Sequence, residues 1–379
     1  MKNLIYNITI VALILLLCKC TNEEPNVSEN AIYFEGNLGR DFIDANIEQT
    51  ETSIPISVRS AKPINNPVNV SVQVNNTAME LYNKKNSTEY AVLPQSYYIF
   101  QDTQLKIEKG KYISNPGILK IKDLTGLPAN RKYAIPVTIT NVSGEAPLLE
   151  ASKTLYILIK RTITSQAASL NNNYFTVDFS KNNEGLNAMK TATYETRVFI
   201  NSFQNNSPFI SSIMGVEENF LLRFGDVTLQ PSQLQVAGGN STTAVGTPFS
   251  TGIWYHIAAV YDGNQLKIYV NGELSATKDA VRTIDLTNMW AGGFHIGYSA
   301  GGRLLDGAIS EARIWSRPLS RNEIINGMCG VDPKNNGLIS YWKFNESADG
   351  KTVKDLTGKG HDAVANNTIT WIQGVKCSN

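Results

Sequence analysis

The sequence is short of charge, of histidine and of cysteine, and each shortage removes a class of function. Lys, Arg, Asp and Glu make up 18% of the chain and the net charge is +1, so it carries no basic excess of the kind that holds nucleic-acid backbones. The three histidines, His256, His295 and His361, share no ligand spacing. Beyond residue 20 only Cys329 and Cys377 remain, too few to make a zinc site by themselves. No apolar run of about 20 residues follows the leader, so no helix is expected to cross a membrane there. Paired-carboxylate glycoside hydrolysis needs two acids brought together on one face. Glu311 precedes Ala312-Arg313-Ile314-Trp315 and Glu195 precedes Thr196-Arg197-Val198-Phe199, each without an acidic partner on its own strand. A nucleophile elbow needs a G-x-S-x-G motif in a strand-to-helix turn, and neither is expected here. No catalytic residue is expected.

What the sequence does contain is strand. Trp254 to Tyr261 is an unbroken run of aromatic, β-branched and small residues, as in a strand covered on both faces. Asp262-Gly263-Asn264 breaks the run. Leu266, Ile268 and Val270 then alternate with Lys267 and Tyr269, giving one buried and one wetter face. Asn271-Gly272 follows, a strong hairpin signal. Residues 254–273 thus read as a meander. The tryptophan before an apolar strand, the "YDG" turn and "L.IYVNG" resemble the central hairpin of laminin-G-like, concanavalin A-like β-sandwich domains. Further similarity lies in 193–200, in 292–298 and in 305–315. It continues in a short helix after Ser320, with Glu323 completing a capping box, and in the closing segments 337–344 and 353–358. Residues 174–379 are read as this domain.

The N-terminal part has its own pattern. Residues 54–58, 68–74, 105–107, 117–121, 135–139 and 155–159 are short, mostly alternating segments between prolines and turn residues. About seven such strands in about 130 residues suit an immunoglobulin-like sandwich, placed at 30–162. Leu81-Tyr82-Asn83, Tyr90 to Pro94, Tyr97-Tyr98, Ile107 to Gly110 and Tyr133 to Val137 occur in that order. They resemble the N-terminal domain of unknown function found in Bacteroidetes lipoproteins beside endoglycosidase or laminin-G modules. The resemblance implies a spacer or docking domain. The Thr/Ser/Ala/Asn-rich residues 163–173 are read as a linker, and the fold class as all-β.

Residues 1–20 read as a signal peptide: Lys2, then an interrupted apolar stretch from Leu4 to Leu17 too short to span a bilayer. A cysteine at its end resembles a bacterial lipoprotein signal, in which the thiol is acylated; Cys20 is the expected anchor and Cys18 the alternative. Residues 21–29 form a polar tether, in which Glu23-Glu24 resembles an acidic export tag. The implied address is the outer membrane, at the cell surface. In such a compartment Cys329 and Cys377 suggest a disulfide, with two separate buried thiols as the alternative.

By resemblance the chain would be a non-catalytic glycan-binding lipoprotein. It would be accessory to a glycan-utilisation system, with an oligosaccharide or glycoprotein glycan as ligand, lipid as anchor and a TonB-dependent transporter complex as partner. A protein-binding adhesin and a hydrolase with an unrecognised site are the rivals. Sugar binding calls for exposed aromatics beside hydroxyl-reading polar groups. Trp290, Tyr298 and Arg303, around a Gly-rich loop, are the candidates. Trp254, Trp315 and Trp342 fall in strand motifs and read as core, while Trp371 stays open. No cofactor is called for, although Asp262, Asp306, Asp355 and Asp362 are loop acids of the type that hold calcium.

Overall fold

The structure, a computed structural model, describes residues 30–378 apart from 36–39, 48–50, 87, 129–130, 145 and 240–242. The leader, Cys18, Cys20 and the tether lie outside the described residues. Two large hydrophobic cores divide the chain, one drawn from residues 32–159 and the other from residues 168–369. The class is all-β, as the alternation implied.

In the N-terminal sandwich, Gln104–Ile107, Val68–Val74, Tyr133–Ser143 and Thr154–Ser169 pair in that order, and Phe42–Ile47 joins the last in parallel. A three-stranded sheet of Thr52–Ile56, Gly117–Ile121 and Tyr98–Gln101 supplies the second layer. The period of two is visible directly: Val68, Val70 and Val72 are buried while Asn69 is exposed. The helix Ala78–Asn86 breaks the all-strand expectation. It buries only Ala78, Met79 and Tyr82, too few positions for a helical period to register in the sequence. Tyr82 packs 4.5 Å from the Tyr156 ring and edge-on to Tyr90 at 6.1 Å.

In the C-terminal sandwich, the predicted meander forms as Trp254–Tyr261, Gln265–Val270 and Glu273–Asp279. Asn271 and Gly272 both adopt positive φ, at 51° and 81°, the requirement of the tight turn that joins the last two. The meander continues through Ala192–Ser202 and Asp306–Trp315 into Thr154–Ser169 and so forms the large sheet. Facing it is an eight-stranded sheet whose centre is Phe220–Asp226, Ser211–Val216, Phe294–Ile296 and Phe175–Val177. Phe175, Phe220, Phe224, Phe294, Ile314 and Trp342 fill the space between. Tyr269, expected on a wetter face, is buried, because a second cluster with Trp315, Leu319, Ile324 and Tyr341 covers the outside of the large sheet.

The expected linker at 163–173 is a correction. Thr154–Ser169 is one unbroken strand that serves both sandwiches. Its first half pairs with Tyr133–Ser143, and its second half pairs with Trp371–Ser378 from Thr162↔Ser378 to Ala168↔Trp371. Thr, Ser and Ala are acceptable strand residues once a partner strand exists, and that partner lies some two hundred residues away. The same closing strand packs Trp371 against the core and carries Cys377 to Cys329, with Cα atoms 5.7 Å apart in a disulfide. The helix Arg321–Gly327 starts as expected: Ser320 Oγ accepts from Glu323 N at 3.2 Å and Glu323 accepts from Ser320 N at 2.8 Å.

Candidate functional site

Alternation decides what the eight-stranded sheet shows to solvent. Phe175 and Val177 point into the core, so Tyr174 and Thr176 point out; Phe294 and Ile296 point in, so His295 points out. The register sets Thr176 opposite His295, and Thr176 Oγ1 lies 3.2 Å from His295 Nδ1. Beyond the strand, Tyr298 folds back and stacks on Tyr174, with ring centres 4.5 Å apart and planes 26° from parallel. Both rings meet His295 edge-on, at 5.6 and 5.1 Å. These are preferred geometries for aromatic groups. Burial holds the His295 imidazole below its ordinary pKa against the carbonyls it bonds, so the ring is neutral at pH 7.

Trp290 joins this face through the turn before the strand. Its neighbour Ala291 accepts from His295 Nε2 at 3.4 Å. The turn is kinked, with Ala291 at φ 54°, and the indole is left 62% exposed beside Met289 at 72%. Arg303 approaches from the loop after Tyr298. Rather than standing free, it donates to Glu217 Oε1 at 2.8 Å, which also takes Arg223 at 3.3 Å. Arg223 reaches Asp226 at 2.6 Å. Two guanidinium groups and two carboxylates cancel, so the polar end of the face is close to neutral. Of the three sequence candidates, Tyr298 sits in an aromatic cluster, Trp290 is open beside it, and Arg303 is an ion-paired wall. Tyr174 and His295 were missed. The alternation of 174–177 and 294–296 carried the signal, but only pairing between the two strands shows that the groups meet.

The expected absence of a G-x-S-x-G motif is a correction, since Gly297-Tyr298-Ser299-Ala300-Gly301 spells that pattern. The structure gives it no nucleophile chemistry. Ser299 is buried with its hydroxyl 2.7 Å from that of Ser212, and both His295 nitrogens are engaged with Thr176 and Ala291. A triad needs a serine–histidine hydrogen bond, and the described residues make none at Ser299.

The outside of the large sheet holds a second cluster. Glu195 and Glu311, each alone on its own strand, come together across strands because Glu195 pairs with Arg313 and Arg197 with Glu311 in the register. Arg313 sits between them, 3.4 Å from Glu195 Oε2 and 2.9 Å from Glu311 Oε2. Trp315 Nε1 donates to Glu195 at 2.7 Å and Tyr341 Oη to Glu311 at 3.1 Å. His256 Nε2 is 3.3 Å from Glu195 Oε1. Burial pushes the Glu195 carboxyl up, but Arg313, His256 and Trp315 together outweigh it and hold the group below its ordinary value. Glu195 is closed to solvent and Glu311 nearly so.

The remaining candidates have structural partners. His361 is fully buried, with Nδ1 2.9 Å from Ser340 Oγ and Nε2 donating to the Lys181 carbonyl at 2.9 Å. Asp262 accepts from Asn264 N, Gln265 N and Lys267; Asp306 from Asn171, Asn201 and Ser202; Asp355 from Tyr341 N and Thr357; Asp362 from Lys354 and Asp355 N. Among the described residues no three His, Cys, Asp or Glu side chains are grouped so that they could hold a metal ion. Trp254 is partly buried under Arg197, whose guanidinium lies 4.8 Å from its ring, while Trp315 and Trp342 are core.

Comparison with known proteins agrees with this architecture. Residues 167–325 match the concanavalin A-like lectin/glucanases superfamily, and residues 27–146 match a family described as an N-terminal domain. No curated protein matches the sequence. A solved structure from Bacteroides ovatus, provisionally described as a carbohydrate binding protein, is 28% identical, with a TM-score of 0.64 over 90% of this chain and 97% of its own. A Limulus polyphemus SAP-like pentraxin is 17% identical over 56% of this chain and 95% of its own, with a TM-score of 0.36. The Bacteroides endoglycosidase EndoBT-3987 with its Man5GlcNAc product is 22% identical over 32% of this chain and 28% of its own, with a TM-score of 0.28. Values this low carry neither fold nor activity across.

Proposed function

Because the chain carries a concanavalin A-like lectin/glucanase-superfamily domain behind an N-terminal β-sandwich, we propose that it is a non-catalytic glycan-binding protein. The observation that carries this reading is the aromatic face of the eight-stranded sheet, where Tyr174, Tyr298 and His295 pack together beside an exposed Trp290. A sugar ring laid on such a surface buries its C–H face while neighbouring side chains read its hydroxyls. The balanced charges of Arg303, Arg223, Glu217 and Asp226 favour a neutral glycan there. The carbohydrate-binding description of the Bacteroides ovatus relative supports the same class. The acidic residues do not suit glycoside hydrolysis. The one cross-strand carboxylate pair described above, Glu195 and Glu311, is bridged by Arg313 and closed to solvent, whereas hydrolysis needs both groups open to a sugar.

The cell-surface context extends the proposal. With Cys20 acylated, the N-terminal sandwich would hold the lectin-like domain away from the outer membrane, beside a TonB-dependent transporter that takes up the bound glycan. The test is a glycan array of the chain from residue 26, in calcium and then in EDTA. Binding to a coherent neutral glycan class is expected, with at least about a tenfold loss in the Tyr298→Ala, Trp290→Ala double variant. Unchanged affinity in that variant would remove the aromatic face from the proposal. A blank array would instead favour a protein ligand, for which the adjacent exposed Met289 and Trp290 are suited.

A further inference from the structure

We propose that the groove between the two sandwiches is a second binding site, which takes an acidic saccharide with the sugar carboxylate on Lys132. The groove has a volume of about 1010 Å³, the upper end of the range of small-molecule sites and enough for several sugar units. The N-terminal sandwich supplies Lys132, Arg131 and Tyr90 to it, and the C-terminal sandwich supplies Asn322, Asn326 and Arg317. None of these belongs to the aromatic face, so the two proposals stand or fall separately.

Lys132 is the reason to assign an anion. Its ammonium is half-buried, and its hydrogen bond is to a neutral acceptor, Asn326 Oδ1, at 3.1 Å. No carboxylate among the described residues forms an ion pair with it. Burial, and then the nearby Lys160 ammonium, lower its pKa to about 8, and Lys160 is itself answered by Asp44 at 3.8 Å. The acids of the groove are committed or peripheral. Glu323 pairs with Arg317 at 2.7 Å and caps the helix, Asp332 accepts from Lys334 N at 2.9 Å, and Glu89 is exposed at the rim. A half-buried cation with one neutral partner carries a charge that is only partly answered. A ligand carboxylate at Nζ answers it with a charge-assisted hydrogen bond, and the surrounding amides are placed to read the hydroxyls of the same sugar.

Both walls are held in position. Asn326 lies on the capped helix just ahead of the Cys329–Cys377 disulfide. Lys132 leads directly into the strand Tyr133–Ser143, which pairs with the strand shared by the two sandwiches. The site is therefore pre-formed, which limits the ordering cost of binding.

The test is calorimetric titration of the full-length chain at mildly acidic pH with trigalacturonate, with its neutral galactose counterpart and with inorganic sulfate. Trigalacturonate is expected to bind at least about tenfold more tightly than either of the other two. Lys132→Met should lose at least about tenfold, and Asn326→Ala several-fold, while Tyr298→Ala leaves this binding unchanged. Lys132→Met should melt no lower than the parent, since it removes a charge that is only partly answered, so its loss of binding will not be a loss of fold. The assignment is overturned if trigalacturonate fails to bind, or if it binds Lys132→Met as well as the parent. Sulfate binding as tight as trigalacturonate would overturn the saccharide and leave an inorganic anion site.

Discussion

On the outside of the large sheet, Glu195, Glu311, Arg313, Trp315 and Tyr341 meet beneath a capped helix and a disulfide-tied segment. On the outside of the eight-stranded sheet, Glu217, Arg223, Arg303, Tyr174, His295 and Tyr298 meet at a face whose aromatic edge remains at the surface. Both collections are aromatic and charged, and both arise from outward-facing positions on neighbouring strands. What separates them is cover. The helix Arg321–Gly327 and the residues that follow it turn one cluster into a second core, where each polar group must be answered internally. Without such cover, the other face keeps ring surface open to solvent. Residue type alone would not have told the two faces apart.

The sharpest way to break this contrast is to remove Arg313. Arg313→Met leaves Glu195 and Glu311 without their shared counter-charge and should cost about 3–5 kcal/mol, read from the midpoint of chemical denaturation. The pH profile should change shape as well. In the parent, the folded-state pKa of Glu195 lies below its ordinary 4.5, so its stabilisation is full above that value and is lost as pH falls through the depressed one. Without Arg313, burial dominates and raises that pKa, and stability should instead decline as pH climbs through the glutamate range. A parent-like acid limb in the variant would mean that Arg313 does not hold the charge.

Opening the disulfide tests the cover itself. Cys329 and Cys377 are 48 residues apart, and closing such a loop is worth about 4 kcal/mol in the chain-entropy model, commonly 2–4 kcal/mol as measured. Cys329→Ser with Cys377→Ser should lose about that much, with faster hydrogen exchange in the helix Arg321–Gly327 and in the strand Trp371–Ser378. Loss of stability without local exchange would show the bond acting only on the unfolded chain.

Much of the fold was legible because it is local. The meander at 254–273, the strand at 68–74 and the capping box at Ser320 each rest on residues within a few positions of one another. What stayed hidden depends on register and on partners far along the chain. Glu195 and Glu311 looked solitary because their meeting is diagonal across two strands separated by more than a hundred residues. Residues 163–169 looked like a linker because their partner is the last strand of the chain. Trp290, Tyr298 and Arg303 were chosen for lying near a glycine-rich loop, and the fold places Tyr298 on the outside of the eight-stranded sheet with Trp290 and Arg303 beside it. That reasoning had no access to Tyr174, which arrives from the opposite end of the domain, nor to Glu217, which takes up Arg303.

The smallest expected effect is the most discriminating. Trp290→Ala removes an indole that is 62% exposed and on which no core cluster rests. Exposed positions without special contacts usually change stability by no more than about 0.5 kcal/mol, and the midpoint of unfolding should move by no more than that. Trp342 is the internal standard: it is fully buried, and its Nε1 donates to the His361 carbonyl at 2.6 Å, so the same substitution there should cost about 3–5 kcal/mol. If Trp290→Ala proves as costly as a core change, the aromatic face is held together by packing and its exposure is incidental. If it costs nothing in stability yet weakens glycan binding, the open indole serves the ligand rather than the fold, and the difference between the two outer faces is one of function as well as cover.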